Sequence, residues 1–321
     1  MRGVRALIDN MERLQVPLYL AAILGAAVAG LTAPALATPA AFAVQPAIAL
    51  LLYATFLGVP FGKLREAARD ARFLTAVLAV NFVAVPIVVF ALSRFVAHDQ
   101  ALLVGVLFVL LAPCIDYVIV FAGLAGGAHD RLLAATPLLM LAQILLLPLY
   151  LWWFTGATLA IDPTPFLEAF VLLVAAPLAA AALTQFAARH VAAARALQRG
   201  TLQAMVPLMM ITLAAVVISQ ISGVSAQLGR LLVAVPVFIA FAAIMIPIGI
   251  FAGRFARIDT PGTRALVFSG ATRNSLVILP LTLALPQALQ LVPLVVVTQT
   301  LVELLIMVTF VRLIPWFVRA R

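Results

Sequence analysis

The sequence predicts an all-α polytopic membrane protein of ten transmembrane helices, arranged as two inverted five-helix repeats with interrupted, crossing helices 4 and 9. Three observations carry this. Hydrophobic residues fill 66% of the 321 positions, charged residues 10%, and the mean hydropathy is +1.22, which no water-soluble domain could keep in solution. The apolar residues fall into runs of about 20, the length that crosses the hydrocarbon once. The two halves of the chain also resemble each other at an offset near half its length.

Taken in order, the spans are 16–33, 40–60, 73–94, 101–126, 131–154, 166–187, 201–221, 230–253, 264–286 and 290–316. Their short connections leave no room for a soluble domain. With the N-terminus in the cytoplasm, 17 of the 20 Lys and Arg residues fall inside, Arg94 and Arg230 fall outside, and Arg273 lies within the membrane. That asymmetry predicts an integral plasma or inner membrane protein with both termini cytoplasmic. The net charge of +9 therefore reports orientation, and no nucleic-acid partner is expected. Arg2 and Arg5 before an apolar run, and the small residues Ala37-Thr38-Pro39-Ala40, imitate a signal peptide. Asp9 and Glu12 interrupt its basic region and similar runs follow along the chain, so no cleavage is expected.

The repeat is visible in four ordered correspondences. Pro86-Ile-Val-Val-Phe-Ala-Leu-Ser-Arg-Phe95 ends the third span and Pro247-Ile-Gly-Ile-Phe-Ala-Gly-Arg-Phe255 ends the eighth. Pro137, Gln143 and Leu145 in the fifth span match Pro293, Gln299 and Leu301 in the tenth, Pro46 matches Pro207, and Ala112 matches Ala271. The repeats expected are 1–160 and 161–321, together one membrane domain. Five spans per half force the two into opposite orientations, a signature of alternating-access secondary transporters that bind substrate near the midplane.

Helices 4 and 9 carry the candidate site. A permanent cation at the depth of Arg273 costs several kcal/mol unless it meets a partner or a polar cavity, so it marks function. Asp116 and Glu303 are the acids at comparable depth, and Cys114 is the one cysteine. A single cysteine excludes an internal disulfide and any CxxC site. Pro113 and the run Ser269-Gly-Ala-Thr-Arg-Asn-Ser275 disfavour regular helix, and freed backbone at this depth is tolerated only where protein or a cavity satisfies it. Cys114, Asp116, Thr272, Arg273, Asn274 and Ser275 are therefore expected around one pocket, with Ala112 opposite Ala271 placing Cys114 in the position of Arg273. A thiol suits a soft, thiophilic centre, though a lone buried cysteine is also common as a small hydrophobe. Arg273 and Asp116 are read either as an ion pair in a proton pathway or as a structural salt bridge, and Arg273 also matches a substrate carboxylate. Glu303 is read either as a second proton carrier or as an acceptor for backbone opened at the break.

At these residues the sequence resembles the bile acid:sodium symporter superfamily, and within it the arsenite-efflux permeases. The resemblance is carried by Leu111-Ala-Pro-Cys-Ile-Asp-Tyr-Val-Ile-Val-Phe-Ala-Gly-Leu-Ala-Gly126, Phe268-Ser-Gly-Ala-Thr-Arg-Asn-Ser275 and Thr298-Gln-Thr-Leu-Val-Glu-Leu304. It implies a panel and a core part, unwound helices 4 and 9, and a role for Cys114 in moving trivalent arsenic against protons. The sequence departs from the pattern in four places. Ser269 and Arg273 stand where sodium-coupled members carry Glu and Gln, which argues against sodium coupling. Leu276 and Phe121 stand where arsenite permeases carry an acid and a tryptophan.

Gln143 and Gln299 are expected to bridge helices. His98, His129 and His190 are spaced as interfacial residues and not as metal ligands, and Trp152, Trp153 and Trp316 suit an aromatic belt. Lys63–Arg72 and Ala188–Arg199 read as amphipathic loops facing anionic lipid. The function expected is a secondary-active transporter, proton-coupled for arsenite or antimonite efflux, with Cys114 as thiol ligand to the transported metalloid and Asp116 and Glu303 as proton-coupling acids. The alternative is a carrier of a small organic anion held by Arg273. The expected partners are a small inorganic or anionic substrate, protons, membrane lipid and a second copy in a homodimer, with no cofactor. The sequence contains no HExxH, GxSxG or P-loop, so an enzyme or ATP-driven pump is not expected.

Overall fold

Every described segment of regular structure is helical, as a chain that must satisfy its backbone within a membrane requires. The computed structural model describes residues 11, 14–58, 70–115, 117–155, 171–283 and 285–319. Six helices in it are long and apolar enough to cross a membrane: Pro34–Gly58, Ala71–Val96, His129–Phe154, Met205–Ser222, Leu228–Phe255 and Leu291–Phe317. The first expected span coincides with a shorter apolar helix, Pro17–Thr32, and the sixth is described from residue 171 onward. The fourth and ninth are each divided in two.

The chain forms two compact units, each drawn from both halves: Met1–Gly58 with Pro163–Leu228, and Val59–Asp162 with Gly229–Arg321. In the first unit, α1 (Gln15–Thr32) and α2 (Ala37–Gly58) come from the first half. A π-turn at Val171–Ala175 leads into α3 (Ala176–Ala188), followed by α4 (Ala192–Gln203) and α5 (Met205–Ala226). Helix α5 packs on α1 and α2, and α2 packs on α3. Gly30 permits a close approach to α5, since a Cβ there would lie 2.5 Å from Ile221 and 3.2 Å from the backbone of Ile218. Small residues let membrane helices meet in this way, where apolar burial supplies little drive. Gln185 donates to the carbonyls of Phe56 and Leu57 at 3.1 and 3.2 Å, satisfying the end of α2. Helix α4 has no buried residue and carries Arg195 and Arg199. The segment expected as an amphipathic loop is thus largely a surface helix.

The second unit begins at Asp70, which caps α6 (Ala71–Ala79) by accepting from Phe73 N–H. A π-bulge at Val80–Ala84 leads into α7 (Val85–Ser93). Asp99 caps α8 (Gln100–Leu110), which is separated from α9 (Tyr117–Leu124), and α10 (His129–Thr155) follows. From the second half come α11 (Leu228–Phe255), α12 (Thr260–Ala271) capped by Asp259, α13 (Ser275–Leu283) and α14 (Leu291–Phe317). Helix α14 packs against α8, α9, α12 and α13, so the tenth span lies alongside both broken ones.

Trp152, Trp153 and Trp316 are exposed near helix ends, as side chains of an interfacial belt would be. His98, His129 and His190 are also exposed. Among the described residues no group of three His, Cys, Asp or Glu side chains is placed to hold a metal. Most of the Lys63–Arg72 segment lies outside the described residues.

Candidate functional site

The two helix breaks meet. Pro113 and Arg273 form an antiparallel bridge. Cys114 N–H donates to Thr272 C=O at 3.2 Å, and Asn274 N–H donates to Ala112 C=O at 2.8 Å. A helix break leaves amides without their carbonyls four residues back, and here each break supplies acceptors for the other. Ala112, Cys114, Thr272, Arg273, Asn274 and Ser275 are all buried, at 0 to 2% exposure.

The bridging residues follow one spacing in the sequence. Ala112 and Thr272, Cys114 and Asn274, and the capping acids Asp99 and Asp259 all stand 160 positions apart. At that spacing the two bridge hydrogen bonds interchange. The spacing expected from sequence set Ala112 opposite Ala271 and Cys114 opposite Arg273; the bridge hydrogen bonds instead relate Ala112 to Thr272 and Cys114 to Asn274. The structure brings Cys114, Thr272, Arg273, Asn274 and Ser275 together. Asp116 lies outside the described residues, so its expected pairing with Arg273 has no geometry here.

The Arg273 side chain completes what the breaks leave open. In an unbroken helix, Ser269 C=O would accept from Arg273 N–H, Gly270 C=O from Asn274 N–H, and Leu110 C=O from Cys114 N–H. Arg273 N–H instead donates to Glu303 Oε2 at 2.8 Å, and the other two amides cross to the opposite break. The guanidinium takes the three released carbonyls: Nη2 lies 2.7 Å from Ser269 C=O and 2.8 Å from Gly270 C=O, and Nη1 lies 3.4 Å from Leu110 C=O. Helices α8 and α12 both direct their C-terminal ends, where the macrodipole is negative, toward this cation. Phe241 adds a ring face 5.4 Å away.

Asn81 is a site residue that the sequence reading missed. Its Oδ1 accepts from Arg273 Nη2 at 2.8 Å, while its Nδ2 donates to Val77 C=O and Ser269 Oγ, both at 2.9 Å. It sits on the π-bulge of the third span, and such bulges often mark functional positions. An asparagine buried within an otherwise apolar run was the signal available.

Glu303 acts as the backbone acceptor that sequence allowed it to be. Its Oε2 receives Arg273 N–H and the Gln299 amide. Gln299 thus bonds along its own helix among the described residues. Thr272 Oγ1 donates to Phe268 C=O at 2.7 Å and contacts Met307 Sδ at 3.1 Å. Asn274 Oδ1 accepts from Val277 N–H at 3.2 Å and caps α13. Asn274 Nδ2 and Ser275 Oγ are buried polar atoms with no hydrogen-bond partner among the described residues, as are Gln143 Oε1 and Gln299 Oε1. Such groups cost about 1–3 kcal/mol each when left unsatisfied.

Acid–arginine clamps hold the N-termini of the two leading half-helices. Arg230 Nε donates to Asp99 Oδ2 at 2.9 Å, and Arg131 grips Asp259 through two bonds of 2.8 and 3.0 Å, with Asp70 3.5 Å away. Burial pushes the Asp99 carboxyl up. The Arg230 hydrogen bond, the Leu102 N–H, the Arg230 charge and the Ala101 N–H together outweigh this and hold it below the usual range.

Several helices able to cross a membrane, together with two interrupted helices paired through buried backbone, define a polytopic integral membrane protein. The chain belongs to the Sodium Bile acid symporter family, whose profile matches residues 45–227. The match takes in the first break with Cys114 and ends before the second. Members of this family are transporters, in agreement with the expectation of a transport protein and not an enzyme. No curated protein matches the chain.

Proposed function

We propose that the protein is a secondary-active exporter of trivalent arsenic or antimony, driven by inward proton movement, within the arsenite-permease branch of its superfamily. One observation carries this: Cys114 is held by main-chain pairing at the crossing that also holds polar groups of Asn274 and Ser275 with no hydrogen-bond partner among the described residues. A neutral trihydroxy arsenic species suits such a set. One hydroxyl leaves with the thiol proton as water while a sulfur–arsenic bond forms and arsenic stays trivalent, and the remaining hydroxyls pair with an amide and a serine. A single thiol keeps the bond reversible, as transport needs. Asp116, two residues beyond Cys114, is the proposed proton carrier. Glu303 serves first as the acceptor for Arg273 N–H.

The reading further comprises ten spans in two inverted repeats, 1–160 and 161–321, both termini cytoplasmic, and a homodimer in the plasma or inner membrane. The local exchange of the two bridge hydrogen bonds at one spacing favours the repeats. The alternative carrier, with Arg273 binding a substrate carboxylate, would have to give up bonds to Asn81, Ser269 and Gly270 to free the guanidinium. Calorimetric titration of arsenite into the purified protein tests the choice. Binding that Cys114→Ser abolishes and Arg273→Gln spares supports the metalloid reading. Arsenite binding unchanged in Cys114→Ser, or none in the natural protein, overturns it.

A further inference from the structure

The Arg273 guanidinium is held by oxygens arranged as a small spherical cation would want them. One nitrogen, Nη2, has three oxygens at 2.7–2.8 Å: Ser269 C=O, Gly270 C=O and Asn81 Oδ1. An arginine Nη carries two hydrogens, so three acceptors at that range exceed what it can bind linearly. The amide of Asn81 is turned oxygen-inward by its donation to Val77 C=O and Ser269 Oγ. Leu110 C=O approaches the neighbouring nitrogen, Nη1, at 3.4 Å from the other break. Unwound carbonyls and half-helix C-terminal ends are the groups with which membrane carriers hold alkali cations, and here two such ends meet one guanidinium. Each of these four oxygens is neutral, so they meet the positive charge with dipoles.

We propose that Arg273 is a tethered occupant of an alkali-cation site, a built-in substitute for a coupling ion, so that the natural protein neither binds nor needs sodium at the crossing. The positive charge that would otherwise enter and leave with each cycle is covalently fixed. Removing the guanidinium uncovers the oxygens and creates a sodium site. The proposal rests on the transporter reading for its meaning, but its test reads cation binding alone and needs neither arsenite nor transport.

The experiment compares the natural protein with Arg273→Ala and Arg273→Lys, purified in detergent. Melting midpoints are followed as sodium replaces choline at constant ionic strength, alongside equilibrium binding of radioactive sodium. The natural protein and the lysine variant show no midpoint shift and no saturable sodium. The alanine variant melts lower in choline, recovers as sodium is added, and binds about one sodium per chain. Saturable sodium binding by the natural protein, or a monodisperse alanine variant indifferent to sodium, overturns the proposal. Should the alanine variant fail to fold, Arg273→Gln takes its place in the same titration. Loss of arsenite binding in the preceding titration, with the sodium result intact, would sink the metalloid reading and leave this one standing.

Discussion

Replacing Glu303 separates its service to the broken backbone from any service to protons. The carboxylate is 3% exposed and accepts Arg273 N–H at 2.8 Å together with the Gln299 amide. Arg273 N–H cannot turn back to Ser269 C=O, because Thr272 is extended, at φ −100° and ψ 136°, and carries the chain off the helix path. Glu303→Leu therefore strands two buried donors, each costing about 1–3 kcal/mol, and the expected loss is about 2–4 kcal/mol. Glu303→Gln keeps an acceptor of nearly the same shape and should cost about 1 kcal/mol. Thermal unfolding in detergent at one fixed scan rate reads the order, since unfolding of such a protein is commonly irreversible. The expected ranking of midpoints is natural protein, then glutamine, then clearly lower leucine. Equal midpoints for all three would refute the backbone-acceptor role, and a stable glutamine variant devoid of transport would make Glu303 a proton carrier.

Other perturbations follow from the same geometry. Asn81→Leu removes the acceptor for Nη2 and the donor to Ser269 Oγ, and should lower stability by about 2–4 kcal/mol, read by the same melting assay. Gly249→Ala would put a Cβ 2.8 Å from the Val267 backbone, pressing α11 against α12 at a cost of about 1–3 kcal/mol; a midpoint equal to that of the natural protein would contradict the close packing. Asp99→Ala removes the cap of α8 and its partnership with Arg230, for about 1–2 kcal/mol near neutral pH. Because the Asp99 carboxyl is held low in the folded protein, its contribution is full above the unfolded value of about 3.9. It is lost as pH falls through the folded value. The midpoint gap between natural and variant protein should therefore narrow below about pH 4.

The helices were legible because crossing a bilayer demands long apolar runs, and the breaks because Pro113 and the Ser269–Ser275 run cannot make a regular lipid-facing helix. The spacing between the two breaks was harder to read. Small apolar side chains align equally well at neighbouring offsets, and the bridge between Pro113 and Arg273 was needed to set the spacing through Asn274. Asn81 escaped notice because its partner stands 192 positions away, a distance that no local pattern reports. Glu303 was found by charge and depth, but its role depended on where Arg273 N–H turned. The division into two interleaved units depends on which apolar faces meet, and membrane spans whose hydrophobic residues surround the whole helix conceal those faces.

Arsenite accumulation in everted membrane vesicles under an imposed proton gradient, in sodium-free medium, tests the central claim most directly. The natural protein should accumulate arsenite above empty vesicles while Cys114→Ser, present at the same level and folded, should not. Accumulation that survives in Cys114→Ser, or none by the natural protein, would contradict thiol-assisted metalloid export.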